Sequence, residues 1–120
     1  MKPRKNVYGE PLIGCCSDPM TGFYRDGYCR MSNADTGTHV VCAQMTSEFL
    51  DYTKSKGNDL STPIPAYQFP GLVPGDKWCL CISRWLEAEK QGVAPLIDLN
   101  ATDQKALDYT SIDVLKTYAL

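Results

Sequence analysis

The sequence contains Thr38-His39-Val40-Val41-Cys42-Ala43-Gln44-Met45, a segment typical of a buried strand. Its residues are β-branched or apolar on both faces of the predicted strand. Thr46 then suits the N-cap position of a helix that runs to Lys56, and Gly57 suits the C′ position that ends it. A strand followed at once by a helix predicts a sheet at the centre of the fold.

Further elements follow towards the C-terminus. Lys77–Ile82 (KWCLCI) predicts either a strand or the first turn of a helix. The next elements are predicted to be a helix from Ser83 to Gly92, a strand at Ala94–Leu99, a short helix capped by Thr102, and a last helix capped by Ser111. Strands and helices that mix without regular βαβ alternation indicate the α+β class.

The predicted architecture is one compact α+β domain over residues 1–120. It has a small, mainly antiparallel sheet, a few short helices and long ordered loops, and residues 1–6 form a frayed N-terminus. The segment Asn58–Gly75 contains four prolines, which exclude a helix interior and a central strand. Because it also carries apolar side chains, we expect an ordered, lid-like loop over the core.

The segment before the central strand is rich in turn signals. Asp18–Gly22 predicts a turn, and Asp26-Gly27 between aromatic residues predicts a hairpin over Phe23–Arg30. A two-residue turn would pair Tyr24 with Cys29 and place the Cys29 side chain in the core. Burial without chemistry is the ordinary state of a free cysteine.

Composition excludes several classes of protein. The chain has a net charge of −2, with 43% hydrophobic and 22% charged residues. Nucleic-acid binders usually carry a basic face, which this sequence does not predict. No apolar run approaches the ~20 residues of a membrane span. The N-terminal MKPRKNVYGEP has no apolar signal-peptide core, so a cytoplasmic location is expected.

The six cysteines are expected to be reduced in that compartment. Six among 120 residues also fall below the ~8–10% typical of disulfide-stapled secreted domains. Adjacent Cys15 and Cys16 cannot bridge each other without strain. The sequence therefore predicts no structural disulfides.

A metal site is one alternative use of these thiols. Cys79 and Cys81 share one face if their segment is a strand, and Cys42 could meet them across a sheet, with His39 as the single imidazole. The other interpretation is that these cysteines pack in the core. No cofactor is expected under that interpretation, whereas zinc or iron would suit the metal site.

Polar side chains in two loops form the candidate ligand site. They are Arg25, Asp26, Asn58, Asp59, Ser61 and Thr62. Such residues can bind a small molecule or a protein, or can satisfy buried backbone groups. The leading hypothesis is a binding or interaction module whose loop site lies near the cysteine-containing strand. The alternative is a metal- or thiol-dependent enzyme that uses Cys42, Cys79 or Cys81 with His39.

Several long motifs occur in order along the chain. They are Asp18-Pro19-Met20-Thr21-Gly22-Phe23-Tyr24-Arg25-Asp26-Gly27, Val41-Cys42-Ala43, Gly57-Asn58-Asp59-Leu60-Ser61-Thr62-Pro63, Phe69-Pro70-Gly71-Leu72, Pro74-Gly75-Asp76-Lys77-Trp78-Cys79-Leu80-Cys81 and Arg84-Trp85. The set resembles the DUF2237 family of small, largely bacterial proteins, from about Asn6 to the C-terminus. The resemblance implies a single soluble α+β domain. It implies no activity, cofactor or site residue.

Overall fold

A computed structural model describes residues 4–17, 20–22, 24–35 and 37–120. The central element is strand β1 (His39–Gln44), with four consecutive buried residues, as its apolar sequence predicts. β1 lies between β2 (Lys77–Cys81) and β3 (Leu96–Ile97) in an antiparallel sheet of order β2-β1-β3. The fold is therefore α+β, as predicted, and the KWCLCI segment is a strand up to Cys81, while Ile82 begins a helix.

Within the described ranges, three α-helices share the hydrophobic core with this sheet. They are α1 (Ser47–Ser55), α2 (Ile82–Lys90) and α3 (Ile112–Thr117). The hydroxyl of Thr46 accepts the Phe49 N–H and so caps α1, and Ser111 caps α3 through the Val114 N–H. Both caps agree with the sequence prediction. Each hydroxyl residue stands at the N-cap position, immediately before the first turn of its helix.

Short 3₁₀ helices occupy Pro65–Tyr67, Leu99–Ala101 and Gln104–Asp108. The predicted cap of the segment after Thr102 is wrong. Asp103 accepts the Lys105 N–H at 2.9 Å, whereas the Thr102 hydroxyl accepts the Cys42 N–H of β1 at 3.1 Å. The Thr102 side chain therefore binds the sheet, and Asp103 caps the 3₁₀ helix in its place.

The N-terminal segment is held to the body of the protein. Arg4 donates two hydrogen bonds to the carboxylate of Asp103, at 2.9 and 2.7 Å, and Asn6 is 2% exposed. Residues 4–6 are therefore ordered by tertiary contacts rather than frayed, while residues 1–3 of the predicted frayed end lie outside the described residues. No helix in the described ranges is long and apolar enough to cross a membrane.

The loop over residues 58–72 is closed by backbone hydrogen bonds. Ile64 and Phe69 exchange N–H···O bonds of 2.8 and 3.1 Å, and the Leu72 N–H donates to the Leu60 carbonyl at 2.7 Å. Gly71, with φ of 78°, lets the backbone approach Ser61 so closely that a Cβ would lie 2.5 Å from its carbonyl oxygen. The ordered loop predicted from the sequence is confirmed.

The hairpin predicted for 23–30 is wrong in the described residues. Gly27 has φ of 85° and lies in a turn, but its N–H donates to Thr21 and its carbonyl accepts the Cys15 N–H. The backbone of Cys29 instead forms an isolated parallel β-bridge with that of Thr102. Phe23, and Asp18 and Pro19 of the predicted preceding turn, lie outside the described residues.

Candidate functional site

A cleft of about 390 Å³ opens beside the 58–72 loop, and we call it the aromatic cleft. It is lined by Gly22, Arg25, His39, Asp59, Leu60, Ile64, Tyr67, Phe69, Trp78 and Cys79. The lining comes from Gly22 and Arg25, from β1, from the loop and from β2. The predicted approach of the Arg25 turn and the loop to the Cys79 segment is therefore present in this cleft.

Aromatic rings form one wall of the aromatic cleft. Trp78 and Phe69 meet edge to face, with ring centroids 5.2 Å apart and planes inclined by 64°. Both rings are largely buried, whereas Tyr67 is 72% exposed. Packed rings give a rigid apolar surface, and the exposed tyrosine adds a further aromatic face.

Arg25 lies over this wall as a cation. Its guanidinium carbon is 5.1 Å from the Trp78 ring centroid, and its Nη1 donates to the Gly22 carbonyl at 2.9 Å. The backbone of Arg25 is left-handed, with φ of 55°, which is unusual for a residue with a side chain. Within the described ranges, no carboxylate forms an ion pair with Arg25.

His39 is the second group in the cleft that can carry positive charge. Its Nδ1 donates to Oδ1 of Asp35 at 2.8 Å, and its backbone N–H donates to Oδ2 of the same carboxylate. The Asp35 side chain is 1% exposed, and the His39 side chain is 41% exposed. A buried carboxylate that binds one ring nitrogen fixes the orientation of the imidazole and leaves Nε2 for other partners.

The polar loop residues mostly satisfy each other. Oδ1 of Asp59 accepts the backbone N–H groups of Ser61 and Thr62, and Oδ2 accepts the Thr62 hydroxyl at 2.7 Å. The Thr62 hydroxyl, followed by the Ser61 N–H, holds the pKa of Asp59 below its ordinary value. Asp59 lines the aromatic cleft, but Ser61 and Thr62 do not belong to its lining.

Asn58 and Asp26 do not belong to the lining of the aromatic cleft. Asn58 donates through Nδ2 to the hydroxyl of Thr53 at the end of α1. Asp26 accepts the Tyr28 N–H and forms an ion pair with Arg30 at 2.7 Å. Of the six predicted ligand residues, the structure therefore brings Arg25 and Asp59 into one cleft and gives the other four local bonds.

Four of the six cysteines are joined in disulfides, which corrects the prediction of reduced thiols. The pairs are Cys15–Cys42 and Cys29–Cys79, with Cα–Cα distances of 5.6 and 5.1 Å. Composition failed here because it counts cysteines without knowing which ones the fold brings together. Cys29 is buried, as predicted, but as a half of a disulfide.

The predicted metal set of Cys42, Cys79, Cys81 and His39 is divided between two places. Cys42 and Cys79 face each other across β1 and β2 and belong to the disulfides, whereas Cys81 is free and is the cross-strand partner of His39. Cys81 and His39 line a second, adjoining cleft of about 230 Å³, which we call the Cys81 cleft. Its other lining residues are Gly37, Asn58, Leu60, Trp78, Leu80 and Arg84.

Sequence reasoning missed Asp35 and the aromatic wall. Asp35 precedes Gly37 in a turn, where an aspartate commonly accepts N–H groups of the following residues, and this was the available signal. Trp78 and Phe69 are apolar residues, and the sequence pattern of a core residue is the same as that of a residue that lines a cleft. Trp85 does pack in the core, and its indole N–H donates to the Pro95 carbonyl at 3.1 Å.

The fold and the two clefts define a small α+β protein with a preformed, aromatic-walled site. Residues 5–119 match the family model described as an uncharacterized protein conserved in bacteria (DUF2237), and the chain belongs to this family. The match covers nearly the whole chain and confirms the resemblance. The family has no assigned function. Comparison with curated proteins finds no significant match.

Proposed function

We propose that this protein is a binding module that takes a small, planar, negatively charged molecule in the aromatic cleft. The observation that carries the proposal is Arg25, which lies over Trp78 and has no carboxylate partner among the described residues. A guanidinium binds carboxylate or phosphate oxygens through two parallel N–H groups. Nη1 binds the Gly22 carbonyl, whereas Nε and Nη2 have no hydrogen bond to the described residues and can donate to a ligand.

The size and the walls of the cleft support this class of ligand. A volume of about 390 Å³ suits a small metabolite. The Trp78 and Phe69 rings favour a flat, apolar ligand body, whereas Arg25 favours an anionic group. The carboxylate of Asp59 accepts three hydrogen bonds within its own turn. These donors partly neutralise its negative charge and so weaken its repulsion of an anionic ligand.

The affinity for aromatic carboxylates tests this proposal. Indole-3-carboxylate is expected to bind the native protein, and Arg25→Ala is expected to raise its Kd at least about tenfold, because a charge-assisted hydrogen bond contributes ~1.5–3 kcal/mol. Isothermal titration calorimetry at low ionic strength measures both values. Indole-3-carboxamide, which lacks the charge, should lose affinity for the native protein and should be indifferent to Arg25→Ala.

Arg30→Ala is the matched control, because Arg30 is bound to Asp26 and stacked over Tyr24 outside the lining of the cleft. It should leave the Kd of the carboxylate unchanged. Equal Kd values for the native protein and Arg25→Ala would contradict the assignment of Arg25 as the anion-binding group.

A second candidate function is thiol-dependent catalysis in the Cys81 cleft. It is favoured by the cross-strand pairing of the free Cys81 with His39, whose ring is held by Asp35. A thiol, an imidazole and an orienting carboxylate are the parts that nucleophilic cysteine sites combine. The Cys81 sulfur also lies 3.0 Å from the Ser83 hydroxyl.

Alkylation kinetics test this second function. In a Cys16→Ser background, Cys81 is the remaining free thiol of the oxidised protein. His39→Gln should slow the reaction of Cys81 with iodoacetamide at least about tenfold, a conservative bound because general-base catalysis contributes ~10²–10⁴-fold. Asn58→Ala, a change in the same cleft that removes no ionisable group, should not alter the rate. A rate that is the same with and without His39 would exclude this function.

The proposal extends to location and partner. We propose the cytoplasm as the location, and a small molecule as the partner in place of a nucleic acid or a membrane. The net charge of −2 supports the exclusion of nucleic acid. Disulfides are uncommon in the cytoplasm. The cytoplasmic proposal therefore requires that the four paired cysteines have a stable reduced form.

A further inference from the structure

The four disulfide-bonded cysteines form one buried cluster. Cys15, Cys29, Cys42 and Cys79 are each at most 8% exposed and pack with Ala101, and we call them the four-cysteine cluster. The sulfur atoms of Cys15, Cys29 and Cys79 lie within 4.8 Å of one another, and the sulfur of Cys42 is bonded to that of Cys15. The two disulfides therefore lie side by side.

This spacing is close to that of a metal site. Four thiolates around zinc lie about 2.3 Å from the ion, which places neighbouring sulfur atoms ~3.8 Å apart in a tetrahedron. Small side-chain rotations would bring the separated sulfurs of the four-cysteine cluster to that distance. We propose that the reduced four-cysteine cluster binds a divalent, thiophilic metal ion such as zinc.

Each of the four cysteines is also tied to its neighbours through its backbone. Cys42 and Cys79 are register partners in the sheet, and their N–H groups donate to the buried hydroxyls of Thr102 and Thr21. Cys29 is bridged to Thr102, and the Cys15 N–H donates to the Gly27 carbonyl at 2.6 Å. None of these hydrogen bonds uses a sulfur atom, so opening the sulfur–sulfur bonds breaks none of them directly.

The two states are related by a balanced reaction. A dithiol reductant gives two electrons and two protons to each disulfide, releases two cysteine thiols and becomes a disulfide itself. Two dithiols thus open both disulfides of the cluster. One Zn²⁺ ion then replaces the four thiol protons, which pass to solvent, and four Zn–S bonds form. Oxidation by a disulfide acceptor reverses the sequence and expels the ion.

Metal binding to the reduced full-length protein tests the proposal. The protein is reduced with a phosphine, desalted without oxygen, and titrated with Zn²⁺ or with Co²⁺ as a spectroscopic probe. We expect about one ion per chain, a tetrathiolate Co²⁺ absorption spectrum and a higher Tm in zinc. Zinc should protect the four cluster thiols from alkylation and leave Cys16 and Cys81 reactive, as peptide mass spectrometry can show.

Two double variants make the test specific. Cys29→Ser/Cys42→Ser removes one proposed ligand from each disulfide and should weaken zinc binding by more than about 100-fold. Loss of a group that only orients a metal ligand already lowers metal affinity by about 10–100-fold. Cys16→Ser/Cys81→Ser should bind zinc like the native protein. The proposal is overturned if the reduced native protein takes up no ion, or if the second variant loses binding. It is also overturned if the first variant keeps binding, or if the reduced chain stays unfolded in zinc.

Discussion

Loss of the Cys29–Cys79 disulfide is expected to lower the free energy of unfolding by about 4 kcal/mol in metal-free buffer. The reason is that this bond joins residues 50 positions apart and so removes much of the freedom of the unfolded chain. The Cys15–Cys42 disulfide spans 27 positions and should contribute about 3.5 kcal/mol. Since the two loops overlap along the chain, the combined loss should be smaller than the sum.

Urea unfolding of Cys29→Ala/Cys79→Ala, with a chelator present, measures this effect. The control is Cys16→Ala/Cys81→Ala, which removes the two free thiols and should change stability by less than about 1 kcal/mol. Equal midpoints for the native protein and Cys29→Ala/Cys79→Ala would show that the disulfide does not constrain the chain. Chelator is needed because zinc would stabilise any reduced fraction.

Asp103→Ala is expected to destabilise the protein by about 3 kcal/mol, because its buried carboxylate joins three separate segments. The side chain is 0% exposed and accepts two bonds from Arg4, one from the Met31 N–H and one from the Lys105 N–H. Removal of the carboxylate leaves two backbone donors without their acceptor. Thermal and urea unfolding monitored by circular dichroism measure the loss.

Asp108→Ala is the control for Asp103→Ala. Asp108 forms an exposed ion pair with Lys105, at 2.8 Å, so its loss should change the free energy of unfolding by less than about 1 kcal/mol. If both variants unfold at the same urea concentration, Asp103 does not connect these segments energetically.

The sequence predicts elements whose stabilising contacts are local. β1 and α1 were predicted correctly because apolar patterning and the Thr46 cap act within a few residues. The hairpin at Asp26-Gly27 failed because the backbone groups of Gly27 bond to Cys15 and Thr21, which no local pattern reveals. Cysteine pairing failed for the same reason, since it depends on the register of β1 and β2.

The candidate site was predictable in part. Arg25 and Asp59 were predicted as polar loop residues of a ligand site, and both line the aromatic cleft. The Asp35–His39 bond and the Trp78 wall were missed because they require knowledge of which buried groups lie next to an opening. A sequence shows that a residue is apolar or acidic, but the fold decides whether it lines a cleft.

Titration of indole-3-carboxylate, followed through the indole N–H signals in nitrogen-15 NMR spectra, tests the proposed binding cleft most directly. The chain has two tryptophans: Trp78 lines the aromatic cleft, and Trp85 is 0% exposed with its N–H bound to Pro95. The account predicts a saturable shift of the Trp78 signal while the Trp85 signal stays in place. An unmoved Trp78 signal at saturating ligand, or a shift confined to Trp85, would contradict the assignment of the aromatic cleft as the ligand site.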